Sequence, residues 1–219
     1  MNWKNYLKVL ATATSLLVVT GCATKAPFDY AAYKESRPRS ILVLPPLNNT
    51  PEVQASYSML SHATRPLAEA GYYVMPVTLV AEAFKENGMT QPADMHGTSA
   101  DKLKKIFGAD AALYVTIGKY GTVYYVIGSA TVVTAQAKLV DLKTGKVLWT
   151  GAATASSEEG QNQQGGLAVL LVSALIKQVM ATTLDQSHQV AGITTTRLLT
   201  AGMPNGMLYG PRSPNYGKD

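Results

Sequence analysis

An alternating run of side chains over residues 131–142 constrains the fold of this chain more than any other feature. One face of the run receives Val133, Ala135, Ala137 and Leu139, and the other receives Thr134, Gln136 and Lys138. Because successive side chains of a strand point to opposite faces, the run predicts a strand with one buried face. In the turn that follows, Asp141 can accept hydrogen bonds from backbone amides and Gly145 can take a positive φ. Residues 147–155 then return as the partner strand of a hairpin.

The rest of the chain predicts the elements that surround this hairpin. Residues 40–46 are apolar and end in Pro45 and Pro46, as expected of a buried strand. Asn49 or Thr50 can cap a helix that runs to about residue 70 and is kinked or split at Pro66. The further predictions are a strand at 72–77, helices at 78–87 and 98–107, and strands at 111–117 and 120–126. The predicted fold class is α/β: a mixed sheet with leading β-α-β units, a trailing antiparallel meander and helices packed on it.

Charge is scarce and unevenly distributed. Charged residues make up 15% of the 219 residues, whereas about 25% is usual in soluble domains. The net charge of +5 is small and forms no basic stripe, so no nucleic-acid partner is expected. Residues 120–137 and 167–176 contain no charge at all. The second run predicts a helix that continues towards residue 184, buried against the sheet, in a subunit interface, or in shallow contact with a membrane.

The N-terminus has the layout of a secretory signal peptide. Lys4 and Lys8 precede an uncharged run over 9–19, and small residues follow up to Gly21. Eleven apolar-rich residues are too few to span a bilayer, which takes about 20. We therefore expect residues 1–21 to be removed during export.

Cys22 is the one cysteine of the chain and follows this segment directly. A single thiol excludes a scaffold stapled by disulfides. Val19, Thr20, Gly21 and Cys22 together resemble the lipobox of bacterial lipoproteins, which implies that Cys22 carries acyl chains such as palmitate and becomes the new N-terminus. In those lipoproteins an Asp after the cysteine favours the inner membrane, and here Ala23 follows, which implies the outer membrane. The body is then expected in the periplasm, with surface exposure as the alternative.

These features divide the chain into four predicted parts. Residues 1–21 are the signal peptide, 22–39 the lipidated cysteine and a tether, 40–202 a single α/β domain, and 203–219 an extended C-terminal tail ordered by docking.

Residue patterns typical of catalysis are weak. The three histidines, His62, His96 and His188, lie far apart without the spacing of a zinc enzyme, and are expected at the surface or at helix caps. Glu158 and Glu159 lie in a loop rich in Gly and Gln, where solvent would keep both ionised. Another group of side chains, Tyr120, Tyr124 and Tyr125, could form a stacking platform for sugars or peptides, or serve as packing partners. We predict no enzyme, no cofactor, and no catalytic or metal-binding residue.

Several motifs resemble a known family. They are ILVLPP (41–46), LAEAGYYV (67–74), IFGAD (106–110), KLVDLKTGKVLW (138–149) and GPR (210–212). They are similar to the GNA-type family of Gram-negative lipoproteins, whose function is unknown. More distantly, the hairpin at 141–149 resembles CsgG and the N-terminal domain of TolB. This resemblance implies a sheet covered by helices and assembly into rings or other oligomers, and it supplies no catalytic residues.

Two functions compete at this stage. The first is a non-enzymatic, outer-membrane-anchored scaffold or assembly component in envelope biogenesis or export. The alternative is an accessory regulator that binds an envelope enzyme, as the similar domain of the activator LpoB does. The expected partners are the membrane, through the lipid on Cys22, and either further copies of the chain or other envelope lipoproteins.

Overall fold

A computed structural model describes residues 28–126, 128–159 and 186–218. The helices in these ranges are α1 (Ala31–Ser36), α2 (Ala55–Glu69), α3 (Val77–Glu86), α4 (Pro92–His96), α5 (Ala100–Phe107) and α6 (Gln186–Leu199). The strands are β1 (Ser40–Val43), β2 (Leu47–Asn48), β3 (Tyr73–Val74), β4 (Ala111–Tyr124), β5 (Ser129–Asp141) and β6 (Val147–Ser156). The predicted signal peptide, Cys22 and the helix predicted over 167–184 lie outside the described residues.

The strands form one mixed sheet in the order β3-β1-β4-β5-β6. β1 is parallel to both β3 and β4, whereas β5 is antiparallel to its two neighbours, β4 and β6. Beyond the break at Pro45 and Pro46, β2 continues along β4 with Leu47 opposite Thr116. The prolines interrupt the pairing because they have no backbone N–H to donate. The predicted α/β class, with β-α-β units leading and a meander trailing, is confirmed.

Strand β4 is longer than predicted. The sequence predicts separate strands at 111–117 and 120–126, but β4 runs unbroken from Ala111 to Tyr124. The register shifts between Ile117 and Lys119, so that Gly118 forms a bulge and pairing with β5 continues up to Tyr124. A bulge absorbs one extra residue without ending a strand. The resulting hairpin extends past the end of β6, whose last residue, Ser156, pairs with Val132.

Helices cover the two faces of the sheet unequally. On one face, α1, α2 and α6 enclose a core that includes the predicted inward positions Val133, Ala135, Ala137 and Leu139. On the other face, α3, α4 and α5 enclose a smaller core around Leu42, Phe84 and Leu103. Among the described residues, this second layer leaves β5 and β6 largely open, with Gln136, Lys138 and Thr150 exposed.

Helix α2 differs from its prediction in two respects, the cap at its N-terminus and the effect of Pro66. It begins at Ala55, and no side chain caps its first turn. Asn48 instead accepts hydrogen bonds from the backbone N–H and the hydroxyl of Thr50, so these residues shape the preceding loop. Pro66 lies inside the helix without splitting it. Pro66 is itself buried, and this burial offsets the lost backbone hydrogen bond.

The segment from Phe28, which the sequence predicts to be part of the tether, instead packs on the domain. The backbone N–H of Phe28 donates to Asn205 Oδ1 at 2.9 Å, and Tyr30 Oη donates to the carbonyl of Gly206 at 2.6 Å. Tyr33 in α1 is buried in the larger core. These three aromatic side chains provide apolar surface that a free tether would leave in water. The stretch between Cys22 and the docked chain therefore consists of residues 23–27 only.

Candidate functional site

A groove lies where the second helix layer stops and the face of β5 and β6 is open. It has a volume of about 600 Å³. Its lining combines hydroxyl, amide and ammonium groups with two aromatic rings: His96, Tyr114, Thr116, Gln136, Lys138 and Thr150. Gln136 and Lys138 come from the polar phase of the alternating pattern, so the sequence predicts their exposure but not the neighbouring helix that makes a groove of them.

The end of α4 and strands β4 and β5 hold three of these side chains in fixed contact. His96 Nε2 donates to the carbonyl of Pro45 at 2.9 Å, and its ring meets Tyr114 edge-on at 5.2 Å. Lys138 Nζ lies 4.9 Å from the centroid of the Tyr114 ring, within cation–π range. Burial lowers the pKa of His96, helped by the charge of Lys138, while the hydrogen bond to Pro45 opposes this. Burial raises the pKa of Tyr114. The groove thus offers donors and one cation to a polar ligand or chain.

A second concavity, the tyrosine cleft, lies between α1 and the C-terminal tail. It has a volume of about 330 Å³ and is lined by Tyr33, Tyr72, Tyr209 and Tyr216, with Lys34 and Arg37 at its rim. Tyr72 Oη donates to the carbonyl of Leu208 at 2.7 Å, and Tyr33 Oη donates to Tyr72 Oη at 2.9 Å. These bonds tie the floor of the cleft to the tail. The sequence did not indicate this cleft, because its walls lie more than 130 positions apart.

Two of the three histidines come together between α2 and α6. The ring centroids of His62 and His188 lie 4.3 Å apart, and His62 Nε2 donates to the carbonyl of His188 at 3.1 Å. His188 Nδ1 lies 2.8 Å from Ser58 Oγ, a contact that serine hydrolases also use. Ser58, however, is only 7% exposed within the helix interface, which leaves no room for a substrate beside its hydroxyl. The histidines therefore join the two helices.

This pair predicts a pH-dependent stability. Burial, and then the charge of His188, lowers the pKa of His62 below its ordinary 6.5, against a hydrogen bond to the His188 carbonyl that raises it. Because the unfolded chain then binds a proton more readily, stability is full above about pH 6.5 and falls as the pH decreases. His96 contributes with the same sign. We expect the free energy of unfolding, measured by urea titration, to decrease between about pH 7.5 and 5.5, by at most about 1.4 kcal/mol per pH unit for each group.

The variant His62→Gln separates the contribution of His62 to the pH dependence of stability from that of His96. Its urea midpoint should depend less steeply on pH than that of the unmodified chain, with His96 providing the remainder. An unchanged slope would contradict the assignment to His62.

The structure separates the other residues that the sequence singled out. Tyr120 is buried in the core, whereas Tyr124 and Tyr125 are exposed, so the three tyrosines form no common platform. Glu159 accepts from the backbone N–H of Ser156 at 2.9 Å and pairs with Arg197 at 2.5 Å, which makes it part of a loop anchor. Glu158 is exposed in the same turn, as predicted.

The described ranges contain neither a metal-binding cluster nor a membrane-spanning helix. Among those residues, no group of three or more His, Cys, Asp or Glu side chains is arranged to hold a metal ion. None of the helices described there combines the length and hydropathy needed to cross a bilayer.

A family model and a known protein each match most of this chain. The family model for GNA1162-like lipoproteins matches residues 28–212. The lipoprotein NMB1124/NMB1162 of Neisseria meningitidis serogroup B is 46% identical over 201 residues, which are 90% of this chain and 93% of that protein.

Solved structures extend the comparison. The crystal structure of lipoprotein GNA1162 from Neisseria meningitidis is 48% identical, with a TM-score of 0.54 over 66% of this chain and 100% of that one. The PelC dodecamer from Paraburkholderia phytofirmans is 17% identical, with a TM-score of 0.39 over 73% of this chain and 87% of that one. The family match and the meningococcal relative confirm the resemblance expected from the motifs, and the chain belongs to the GNA1162-like family of lipoproteins.

Proposed function

We propose that this lipoprotein is anchored in the outer membrane through acyl chains on Cys22 and acts there as a non-enzymatic scaffold or assembly component in envelope biogenesis or export. The main support is the short distance along the chain between the lipobox cysteine and the folded body. Residues 23–27 separate Cys22 from Phe28, which is docked on Asn205. A connection this short keeps the body close to the bilayer, whereas a long linker would allow it to diffuse further into the periplasm.

The open face of β5 and β6 is the surface on which a scaffold of this kind would receive a partner. Its exposed side chains are mostly small and polar, and Thr134 and Thr154 share a hydrogen bond of 3.0 Å across the two strands. A flat surface of hydroxyl, amide and methyl groups suits a partner that docks by shape and hydrogen bonds. The groove beside His96 would give this contact a defined position.

The anchor is tested by replacing Cys22 with alanine. We expect Cys22→Ala to move from the membrane fraction to the soluble periplasmic fraction, because the acyl chains supply about 0.8 kcal/mol of binding per buried methylene. Ala23→Asp is the matched control: it keeps the lipid and should move the protein from the outer to the inner membrane. Recovery of Cys22→Ala in the membrane fraction would refute anchoring through this residue.

Assembly is tested by native mass measurement of the lipidated chain in detergent. A scaffold should appear as a defined oligomer at micromolar concentration. A strictly monomeric chain would count against the scaffold and favour the accessory regulator that binds an envelope enzyme.

A further inference from the structure

The end of the β4–β5 hairpin carries the largest cluster of exposed apolar side chains among the described residues. We call residues 123–126 the hairpin tip. The exposed fraction is 36% for Val123, 81% for Tyr124, 55% for Tyr125 and 103% for Val126. Strand β6 ends at Ser156, which pairs with Val132, and Val132 in turn pairs with Gly121. At the level of residues 123–126, only β4 and β5 pair with each other in the described structure.

The hairpin tip also lacks the features that keep a projecting hairpin in water. Natural sheets usually protect exposed strands with charged residues, lysine above all. No charged residue occurs between Lys119 and Lys138. The tip instead presents tyrosine, which is enriched where lipid headgroups meet the hydrocarbon core, and valine, which is apolar.

The position of the bilayer follows from the length of the tether. Six residue steps separate Cys22 from Phe28, and an extended chain covers at most about 3.5 Å per step, or about 20 Å in all. Phe28 adjoins Asn205, whose carbonyl accepts from Trp149 Nε1 at 2.9 Å. Trp149 lies at the level of Leu139 and Leu113 in the sheet. The anchor therefore holds Phe28 within about 20 Å of the lipid surface, on the side of the body where Asn205 and Trp149 lie.

We infer that the hairpin tip inserts into the headgroup region of the bilayer that holds the lipid anchor, which makes it a second membrane contact. This inference rests on the proposed anchoring through Cys22. The tip is convex and consists of four side chains, far less than the roughly 800 Å² per partner of a stable protein interface. Four side chains suffice for a bilayer contact, because the anchor already keeps the tip at a high local concentration beside the lipid.

The two contacts together define the orientation of the body. Tyr124 lies eleven residues beyond Leu113 on β4, a distance of about 35 Å at the rise of a strand. Phe28 is held within about 20 Å of the lipid near one end of the strands, and the tip contacts the lipid at the other end. The strands are therefore inclined away from the membrane normal.

The test measures the depth of single labelled positions on lipidated full-length protein in vesicles of phosphatidylethanolamine and phosphatidylglycerol. Val126→Cys carries an environment-sensitive fluorophore attached through maleimide. The sulfur of Cys22 does not react once it is acylated, so the label is unique. Leu79→Cys in α3 and Tyr57→Cys in α2 are the matched controls, with exposed fractions of 68% and 70%. Because α2 and α3 cover opposite faces of the sheet, at least one of them must point away from the lipid.

We expect a blue-shifted emission from position 126 and several-fold stronger quenching by nitroxide-labelled lipid than at the more exposed control. Emission typical of water at position 126 on protein that floats with the vesicles would overturn the inference. A blue shift that depends on the ratio of protein to lipid and resists nitroxide quenching would also overturn it, by assigning the tip to a second copy. Failure to float, or labelling of Cys22 itself, would instead refute the anchor.

Discussion

Replacing Trp149 with alanine is expected to lower the free energy of unfolding by about 3 to 5 kcal/mol. The indole is 1% exposed, and its Nε1 donates to the carbonyl of Asn205 at 2.9 Å. Gly151 lies beneath the ring so closely that a Cβ there would come within 2.2 Å of it. The substitution thus opens a large cavity and removes a bond to the loop on which Phe28 docks. Urea unfolding followed by far-UV circular dichroism measures the change, since the variant lacks the core fluorophore.

Trp149→Phe is the control for the hydrogen bond. It keeps an aromatic ring in the core and removes the indole N–H, so we expect a loss of about 1 to 2 kcal/mol. A loss below about 1.5 kcal/mol for Trp149→Ala would show that the core collapses around the missing ring, and would contradict the packing described above.

Replacing Gly71 with alanine should release the C-terminal tail. Gly71 has φ +96°, and a Cβ there would lie 2.4 Å from the backbone nitrogen of Ser213. The tail would have to move, and with it the bonds from Gly210 N–H to the Ala70 carbonyl and from Arg212 N–H to the Gly71 carbonyl. We expect a loss of about 3 kcal/mol, the sum of left-handed strain and two bonds of about 1 kcal/mol each. Amide hydrogen exchange at Gly210 and Arg212 should accelerate together.

The variant Gly88→Ala is the control that separates backbone strain at a positive φ from a steric clash with the tail. Gly88 has φ +77°, but no atom lies within 4 Å of the Cβ that alanine would add. This variant should lose only about 1 to 2 kcal/mol and leave exchange at Gly210 unchanged. Equal effects of the two variants would mean that the tail is not held against Gly71.

The trailing meander was predictable because its signals are local. Asp141 accepts hydrogen bonds from the backbone N–H groups of Lys143 and Thr144 at 2.8 and 2.6 Å, and Gly145 has φ +73°, as the sequence predicts. The boundaries of β5 and β6 lie within two residues of their predicted positions. The continuation of β4 through Gly118 was not predictable, because it depends on the partner strand that bridges the bulge.

Helix α6 was missed because its residues disfavour a helix locally. Gly192 and three consecutive threonines, from Thr194 to Thr196, have low helix propensity. Tertiary contact overrides this preference: Val190 and Ala191 are fully buried against the sheet and α2. The threonine hydroxyls also donate to carbonyls one turn earlier, as Thr195 does to Ala191 at 2.7 Å. Neither effect can be read from a window of sequence.

The candidate sites were predictable only in part. The polar face of β5, with Gln136 and Lys138, follows from the alternation. The groove also needs α4, a five-residue helix that begins with Pro92 and gave too short a pattern for prediction. The pairing of His62 with His188 joins positions 126 residues apart, and only the packing of α2 on α6 brings them together.

The hydrogen bonds from Phe28 and Tyr30 to the loop at Asn205 and Gly206 span 177 and 176 positions. Their consequence concerns the order of events during export. A chain that crosses a membrane from its N-terminus presents the residues next to its anchor first, yet those residues have nothing to bind until the region beyond residue 200 has also crossed. If the chain is anchored through Cys22 as proposed, acylation can therefore precede folding, whereas the docking of Phe28 and Tyr30 on the body waits for nearly complete translocation.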